Sequence, residues 1–396
     1  MNVIIIGSLF SLPEGDAATN RVLSYARGFI ANGAQCTVIC MSNEYGKSLA
    51  NDLGGIAYYY PFDSLKRSGS FLKRNVRKIT KYARAAKLIL DLHRTNRIDA
   101  FILYSEFLSI AFFTYVLSKI IGATLVLEES EDIYRFVRDK PFLLLFAKLK
   151  VRLISFMLDG VICINSMVAD FFMGLGFEVA SLIVVPGTVD FMRFDLPAQH
   201  KYNYEYIGYF GRLNKDVEAI DCLIRAFAQI HADYKNIHLL LSGKASNEHM
   251  QEYKELVSNL HIGSYVHFIG YIDREELPAL MLEAKLLIDV RRQNLRSVMS
   301  FPSKIAEYLC AGKPMVVTNV GEVNCLLIDN VHCYLANPDD DYDLTIKIQY
   351  VLENYKHALE VASHGREFAK IAFDNILQTK KIMCYLDHLR IICSNV

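Results

Sequence analysis

The chain has 396 residues, 52% of them hydrophobic, and its 43 basic and 43 acidic side chains give a formal net charge of zero. At roughly 150 residues per domain this length suggests two domains or three. The composition excludes a disordered chain, which needs few apolar residues and a large net charge. The balanced charge points to no partner, so only its distribution along the chain can.

The first residues, MNVIIIGSLF, carry no charged leader and no small-residue cleavage site, so they read as a strand and not as a signal peptide. Residues 2–6 are apolar without alternation, as in a central parallel strand. The loop GSLFSLPEGDAATN follows, then a helix over Asn20–Asn32 that stops near Gly33, then a strand at Cys36–Cys40. This β-loop-α-β opening is the unit of a doubly wound sheet. GxGxxG is absent, which argues against a dehydrogenase. Further strands are predicted at Gly55–Tyr60, Ala100–Leu103, Thr124–Glu128, Gly160–Ile164 and Ser181–Val185. The apolar stretch Phe101–Leu127 is interrupted by Glu106 and Lys119 and divided at Gly122, so it reads as a helix and a strand more than as one membrane span.

PGTVDFMRFDLPAQHKYN has two prolines and little periodicity, and reads as a link between domains. After it come predicted strands at Tyr206–Phe210, Ile237–Leu241, Val266–Ile269, Lys285–Asp289, Met315–Thr318 and Cys333–Ala336. Helices are predicted at Ala219–Asp233, Asn247–Leu260, Glu275–Glu283, Ser303–Cys310, Asp341–Tyr355 and, as one stretch, Gly365–Leu389. The fold class is therefore α/β, with two Rossmann-like doubly wound domains facing a central cleft, the usual place for a site. The nine cysteines form no CxxC pair, so reduced thiols of a cytoplasmic protein are expected, and neither a disulfide scaffold nor a metal site.

The most informative segment is SFPSKIAEYLCAGKPMVVTNVGE, Ser300–Glu322. Pro302 sits where a helix starts, Ser303 and Lys304 fill its first turn, and Gly312 with Pro314 ends it. First-turn amides attract an anion, Lys304 adds a mobile positive charge, and Glu307, one turn deeper, can accept from a diol such as ribose. The plain alternative is a surface helix with an i,i+3 Lys304–Glu307 pair.

Two other segments stand out. LVLEESEDIYRF places Glu128, Glu129 and Glu131 after a predicted strand, as site carboxylates or as a charged helix cap. Residues 66–94 carry ten basic side chains, from Lys66 to Arg94, against one acid, Asp91, with Ile79, Ala83, Leu88 and Leu92 between them. That pattern fits an anionic membrane surface or a solvated helix face. No recognition motif accompanies it, so nucleic acid is not an expected partner.

FPSKIAEYLCAGKPMVV resembles the donor-binding signature of glycosyltransferase family 4, the retaining GT-B enzymes. GYFGRLNK (Gly208–Lys215), LIRAFAQI (Leu223–Ile230), VVPGTVDFMRF (Val184–Phe194), HLLLSGK and VHFIGYIDREELPAL resemble further family segments in the expected order. The resemblance implies an acceptor-side domain at 1–190, a linker at 191–202, a nucleotide-sugar donor domain at 203–364 and C-terminal helices at 365–396 returning to the first domain. It implies that Glu307 binds the donor ribose and that Arg212 contacts the donor diphosphate. Lys215 stands in for the missing lysine–glycine pair, and Lys304 shares the phosphate load. Ser303 and amides at Ser300 and Phe301 meet sugar and phosphates, Gly15 and Asp16 close on donor or acceptor, and Glu129 touches the reacting sugar. Where the family carries a glutamate eight residues before the ribose-binding one, this chain has Met299, which leaves sugar recognition unassigned.

The implied activity is transfer of a sugar, with retention, from a UDP-sugar (GDP is the rival) to a saccharide or lipid-linked acceptor of surface-polysaccharide synthesis. Catalysis would lie in Arg212, Lys304 and helix-start amides stabilising the departing diphosphate. No EF-hand or HExxH pattern is present, and no obligatory metal or organic cofactor is expected. The implied location is cytoplasmic, at the inner face of the cell membrane. The alternatives are a degenerate relative that binds nucleotide sugar or a partner transferase without turnover, and a nucleotide-sugar epimerase of the same architecture.

Overall fold

Runs of four to six apolar residues, each long enough for one buried strand, build two separate α/β units. The computed structural model describes residues 1–15, 17–42, 50–62, 71–131, 133–134, 137–197, 201–298 and 303–394, with backbone alone at 71–75, 393 and 394. One unit comprises Met1–Thr188 with Asn375–Val396, and the other Val189–Asp374.

The first unit holds an eight-stranded sheet: β1 (Asn2–Gly7), β2 (Gln35–Cys40), β3 (Ala50–Leu53), β4 (Ile56–Tyr59), β5 (Ala100–Tyr104), β6 (Thr124–Glu129), β7 (Gly160–Cys163) and β8 (Leu182–Val184). Their order is β3-β4-β2-β1-β5-β6-β7-β8. Val3 pairs with Cys36 on one side and Ala100 on the other, so the winding reverses at β1. The connecting helices are α1 (Ala17–Ala31), α2 (Phe71–Thr95), α3 (Leu108–Ile121), α4 (Pro141–Ser155) and α5 (Ser166–Met173). Phe101–Leu127 divides as expected into β5, α3 and β6, with Gly122 capping α3 at φ +68°. Sequence reading missed β3. It is a short, polar edge strand antiparallel to β4, and such an edge lacks the apolar signature of a buried strand.

The second unit holds six parallel strands: β9 (Glu205–Phe210), β10 (Ile237–Ser242), β11 (Val266–Gly270), β12 (Leu286–Asp289), β13 (Met315–Thr318) and β14 (Tyr334–Ala336), in the order β11-β10-β9-β12-β13-β14. Its helices are α6 (Ile220–His231), α7 (Asn247–Asn259), α8 (Leu277–Glu283), α9 (Leu295–Val298), α10 (Ser303–Ala311), α11 (Val323–Leu326), α12 (Asp341–Glu353) and α13 (Tyr355–Ala372). Ile207, Leu239, Leu241 and Ile288 are inaccessible between the two helical layers. Burying such a side chain contributes about 1.5–3 kcal/mol.

The stretch Gly365–Leu389, expected to be helical, is divided between two helices. The first, α13, ends at Ala372, where the Phe373 carbonyl accepts from Val189 N at 2.8 Å. The last helix, α14 (Asn375–Ser394), belongs to the first unit and packs on α1, where Asn375 donates to the Ser24 carbonyl at 3.0 Å. Among the described residues no helix is long and apolar enough to cross a membrane. The eight described cysteines are free.

Candidate functional site

In the second unit the carboxyl ends of β9 and β12 meet the first turn of α10, where Lys304 is linked through one side chain to the backbone of Arg212. Lys304 reaches inward, only 13% of its side chain exposed. Its ammonium donates to Tyr209 Oη at 2.7 Å and to Glu218 Oε2 at 3.1 Å. It also lies 2.7 Å from Asp289 Oδ1, outside hydrogen-bond geometry, so fully buried Asp289 has a charge partner but no hydrogen-bond donor. Burial pushes the Glu218 pKa up, against the pull of Lys304. Lys304 is therefore clamped, where the sequence suggested a mobile charge. The i,i+3 pair with Glu307 does not form.

The clamp continues to the loop after β9. The Tyr209 hydroxyl, accepting from Lys304, donates to the Arg212 carbonyl at 2.8 Å. Burial and Glu218 hold the Tyr209 phenol well above its ordinary pKa, so it stays a donor. Two glycines make room. A Cβ on Gly211 would lie 2.7 Å from Lys304 Cδ, and one on Gly243, at φ +140°, would lie 1.6 Å from the Gly211 carbonyl oxygen. The Arg212 side chain is exposed beyond this fixed backbone. Lys215 is directed elsewhere, pairing with Glu252 of α7.

Glu307, one turn beyond Lys304, is gripped by a residue that sequence reading placed in the linker. Arg193 Nη1 donates to Glu307 Oε1 at 2.8 Å, and Arg193 Nη2 donates to the Arg274 carbonyl at 2.5 Å. The segment supplying Arg193 is a short 3-10 turn, Phe191–Phe194, capped by the Asp190 side chain. The only sequence signal was an arginine inside the VVPGTVDFMRF resemblance. Ser303 opens α10 and is exposed, whereas Met299, Ser300, Phe301 and Pro302 lie outside the described residues. A separate surface hollow of this unit, bordered by Glu205, Asp233, Lys235 and Lys285, lies at the amino ends of β9 and β10. Doubly wound sheets bind ligands at the other ends of their strands.

The first unit carries the remaining candidates. Glu128, ranked behind Glu129 from sequence, is wholly engaged. It accepts from Arg21 Nε at 2.5 Å, the Tyr25 hydroxyl at 3.0 Å and the Ser130 hydroxyl at 2.7 Å. Arg21 also donates to the carbonyls of Pro186 and Val185. Burial alone would lower the Arg21 pKa, but Glu128, together with Tyr25 and Tyr104, more than offsets it and the net shift is upward. Glu129 faces a small cavity under α4 that also touches Glu106, Lys150, Val151, Ser155 and Phe172. Gly15 is exposed in the loop after β1, which Thr19 ties back by donating to the Ser11 carbonyl at 2.9 Å. Asp16 lies outside the described residues.

The expected basic face is only partly a surface. Lys78, Arg84 and Lys87 of α2 are exposed, but Lys81 is buried and donates to the Met41 carbonyl at 3.0 Å. Lys66 and Arg67 lie outside the described residues, as do the side chains of Lys73 and Arg74.

Residues 192–368 match the family model for glycosyl transferases group 1. Comparison with curated protein sequences returns no match. Sucrose-phosphate synthase from Thermosynechococcus elongatus superposes with a TM-score of 0.73 at 16% identity, over 98% of this chain and 99% of that one. HepE from Anabaena, solved with UDP-glucose, gives 0.70 at 17% identity over 98% and 99%. A glycosyltransferase from Rickettsia africae gives 0.70 at 16% identity over 98% of each chain. Residues 192–368 thus carry a segment of the glycosyl transferases group 1 type, and along nearly its whole length the chain has the two-unit α/β fold of the solved glycosyltransferases it superposes on.

Proposed function

We propose that the protein moves a sugar, with retention, from a UDP-sugar to a hydroxyl of a saccharide or lipid-linked acceptor in surface-polysaccharide synthesis. The observation that carries this reading is the Glu307 carboxylate. It is anchored on one oxygen by Arg193, one helical turn from Lys304, within the segment that matches the family model. Anchoring Oε1 orients Oε2 toward the vicinal hydroxyls of a ribose. UDP is preferred over GDP because the HepE structures contain UDP, or UDP with glucose, or UDP-glucose.

In this reading the exposed Arg212 side chain and the first turn of α10, with Ser303 and the amides of Ser300 and Phe301, take the charge that develops on the departing diphosphate. Lys304 already serves two carboxylates. It acts through the Tyr209 hydroxyl on the Arg212 backbone, as a positioning residue. Lys215, near the same loop, adds long-range positive charge. In the first unit, Glu129 meets the reacting sugar or the acceptor, and the loop of Gly15 and Asp16 closes on donor phosphate or acceptor. The basic side chains within Lys66–Arg94 attract an anionic membrane surface, each contributing about 1 kcal/mol near it. A second reading, a relative that binds nucleotide sugar without turnover, draws on the shared Lys304 charge and on Met299.

The test is a panel of UDP- and GDP-sugars, read for binding, hydrolysis and transfer with and without membrane extract. Transfer from a UDP-sugar is expected. Tight binding without turnover across the acceptor panel would favour the second reading, and no nucleotide binding would sink both. Glu307→Ala is expected to weaken donor binding by about 3 kcal/mol, on the order of a hundredfold, since hydrogen bonds to a charged acceptor are the strong kind. Because the substitution also leaves buried Arg193 without its carboxylate, the thermal transition should fall, and donor binding is compared at a temperature where both proteins are folded. Unchanged donor kinetics would remove Glu307 from the ribose.

A further inference from the structure

Helix α4 has two apolar faces, and only one is covered. Val151 and Ile154 are buried against the first unit. Phe142, Leu145, Phe146, Leu149, Leu153 and Phe156 recur at three- and four-residue intervals on the opposite side, with Phe142 71% and Phe156 75% exposed. The Phe142 and Phe146 rings lie edge to face, centroids 4.9 Å apart, as one aromatic surface. The neighbouring helix α3, packed on α4, adds exposed Phe112, Val116 and Ile120 at four-residue spacing. A surface helix ordinarily turns one apolar stripe to the core and a polar one to water.

The charges of this helix are equally one-sided. Between Asp139 and Asp159 the only charged residues are Lys140, Lys148, Lys150 and Arg152. At about 100° per residue, Lys148 and Arg152 fall on one border of the exposed stripe and Lys150 on the other.

We propose that this face of α4 docks on an anionic lipid bilayer, lying in the interface with its rings and leucines at the acyl boundary and its basic borders at the head-group phosphates. Lysine and arginine suit such borders, because their stems lie along apolar surface while their charges reach outward. The alternative occupant, a second copy, fits poorly. A two-fold contact would set the stripe against itself and bring the basic borders together, with no carboxylate on the helix to separate them. The role differs from that of α2: exposed α2 lysines attract the membrane over distance, whereas α4 enters it. Helix α4 covers the cavity of Glu129, which Val151 and Ser155 of its inner face and the border residue Lys150 all line. Docking through α4 therefore brings the Glu129 cavity to the lipid surface, where a lipid-linked acceptor presents its head. That last consequence, unlike the docking, rests on the function proposed above.

The experiment uses the full chain without nucleotide, so its outcome is independent of the donor reading. Vesicles of phosphatidylglycerol mixed with phosphatidylcholine, and of phosphatidylcholine alone, are floated with the protein at about 0.1 M and about 0.5 M salt, where screening lengths differ about twofold. Wild type should float with the anionic vesicles and keep part of that binding at the higher salt. The combined variant Phe142→Ser, Phe146→Ser, Leu149→Ser should lose binding at least about tenfold with an unchanged thermal transition, since all three side chains are exposed. The protein has no tryptophan, so Phe146→Trp creates a single reporter whose emission should shift to the blue on vesicles. Full vesicle binding by the triple variant would overturn the proposal, as would unshifted emission of F146W on bound vesicles. A concentration-dependent dimer that the triple variant abolishes, without vesicle binding by wild type, would assign the face to a second copy and overturn it equally.

Discussion

Each unit buries a cation among carboxylates at the carboxyl ends of its strands, but the two clusters differ in completeness. Around Arg21 and Glu128 the bonding is closed. Three guanidinium nitrogens have acceptors, and both carboxylate oxygens have donors, tying α1 to the end of β6 and to the chain after β8. Around Lys304 the bonding is open. One ammonium is shared by Glu218 and Asp289, Asp289 accepts no hydrogen bond, and the remaining contact leads through Tyr209 to the Arg212 backbone. A closed pair holds a fold together. An open one leaves electrostatic freedom beside a loop that carries an exposed arginine.

Four substitutions bear on this comparison. The largest effect on stability is expected for Glu128→Ala, which leaves Arg21 buried without its carboxylate, at a cost of about 3–5 kcal/mol in urea unfolding. Asp289→Ala should cost less, about 1–2 kcal/mol, because Lys304 keeps Glu218 and Tyr209. Equal losses for the two would erase the distinction between the clusters. Tyr209→Phe should cost about 1 kcal/mol of stability and raise the donor KM more than it changes kcat, since it frees the Arg212 backbone. A stability loss with unchanged KM would reduce the relay to packing.

The smallest effect concerns Lys81 of the first unit, whose pKa burial, followed by repulsion from Lys78, lowers to about 8. Its folded pKa is below its unfolded one, so its contribution is complete above the unfolded lysine range and is lost as pH falls through about 8. Lys81→Met should therefore gain stability relative to wild type at pH about 6, by about 1 kcal/mol or less after solvent screening, and the gain should shrink by pH about 9. A pH-independent difference would show that ionisation of Lys81 carries no stability term.

Much of the fold was legible because buried parallel strands announce themselves. The segments read at 2–6, Cys36–Cys40, Tyr206–Phe210 and Met315–Thr318 became β1, β2, β9 and β13 with boundaries shifted by at most a residue. The features that were not legible share a cause. Strand β3 is polar and paired on one edge, so neither period nor composition marks it. The break at Phe373 exists because Val189, far away in sequence, takes the Phe373 carbonyl. In the site, the choice of Lys304, Glu307 and Arg212 rested on motif order, which is local. Their partners Glu218, Asp289 and Arg193 come from distant segments with no shared pattern. The ranking of Glu129 ahead of Glu128 had no physical signal behind it, since adjacent strand residues face opposite sides and only the sheet decides which side holds Arg21.

What the sequence determined by itself is the layout: two series of buried strands, the helix that begins at Ser303 and that Gly312 closes, and a family likeness carried by residues in order. These follow from periodicity, backbone restriction and short-range spacing. What the tertiary structure decided is which charges meet and which apolar faces are left over. Lys304 turned from a mobile cation into a shared one, Glu307 acquired Arg193, Lys81 went inside, and the outer stripe of α4 remained uncovered. Each of these depends on contacts or exposure that sequence spacing does not encode, because a side chain's charge partner and its solvent are set by whichever element packs beside it.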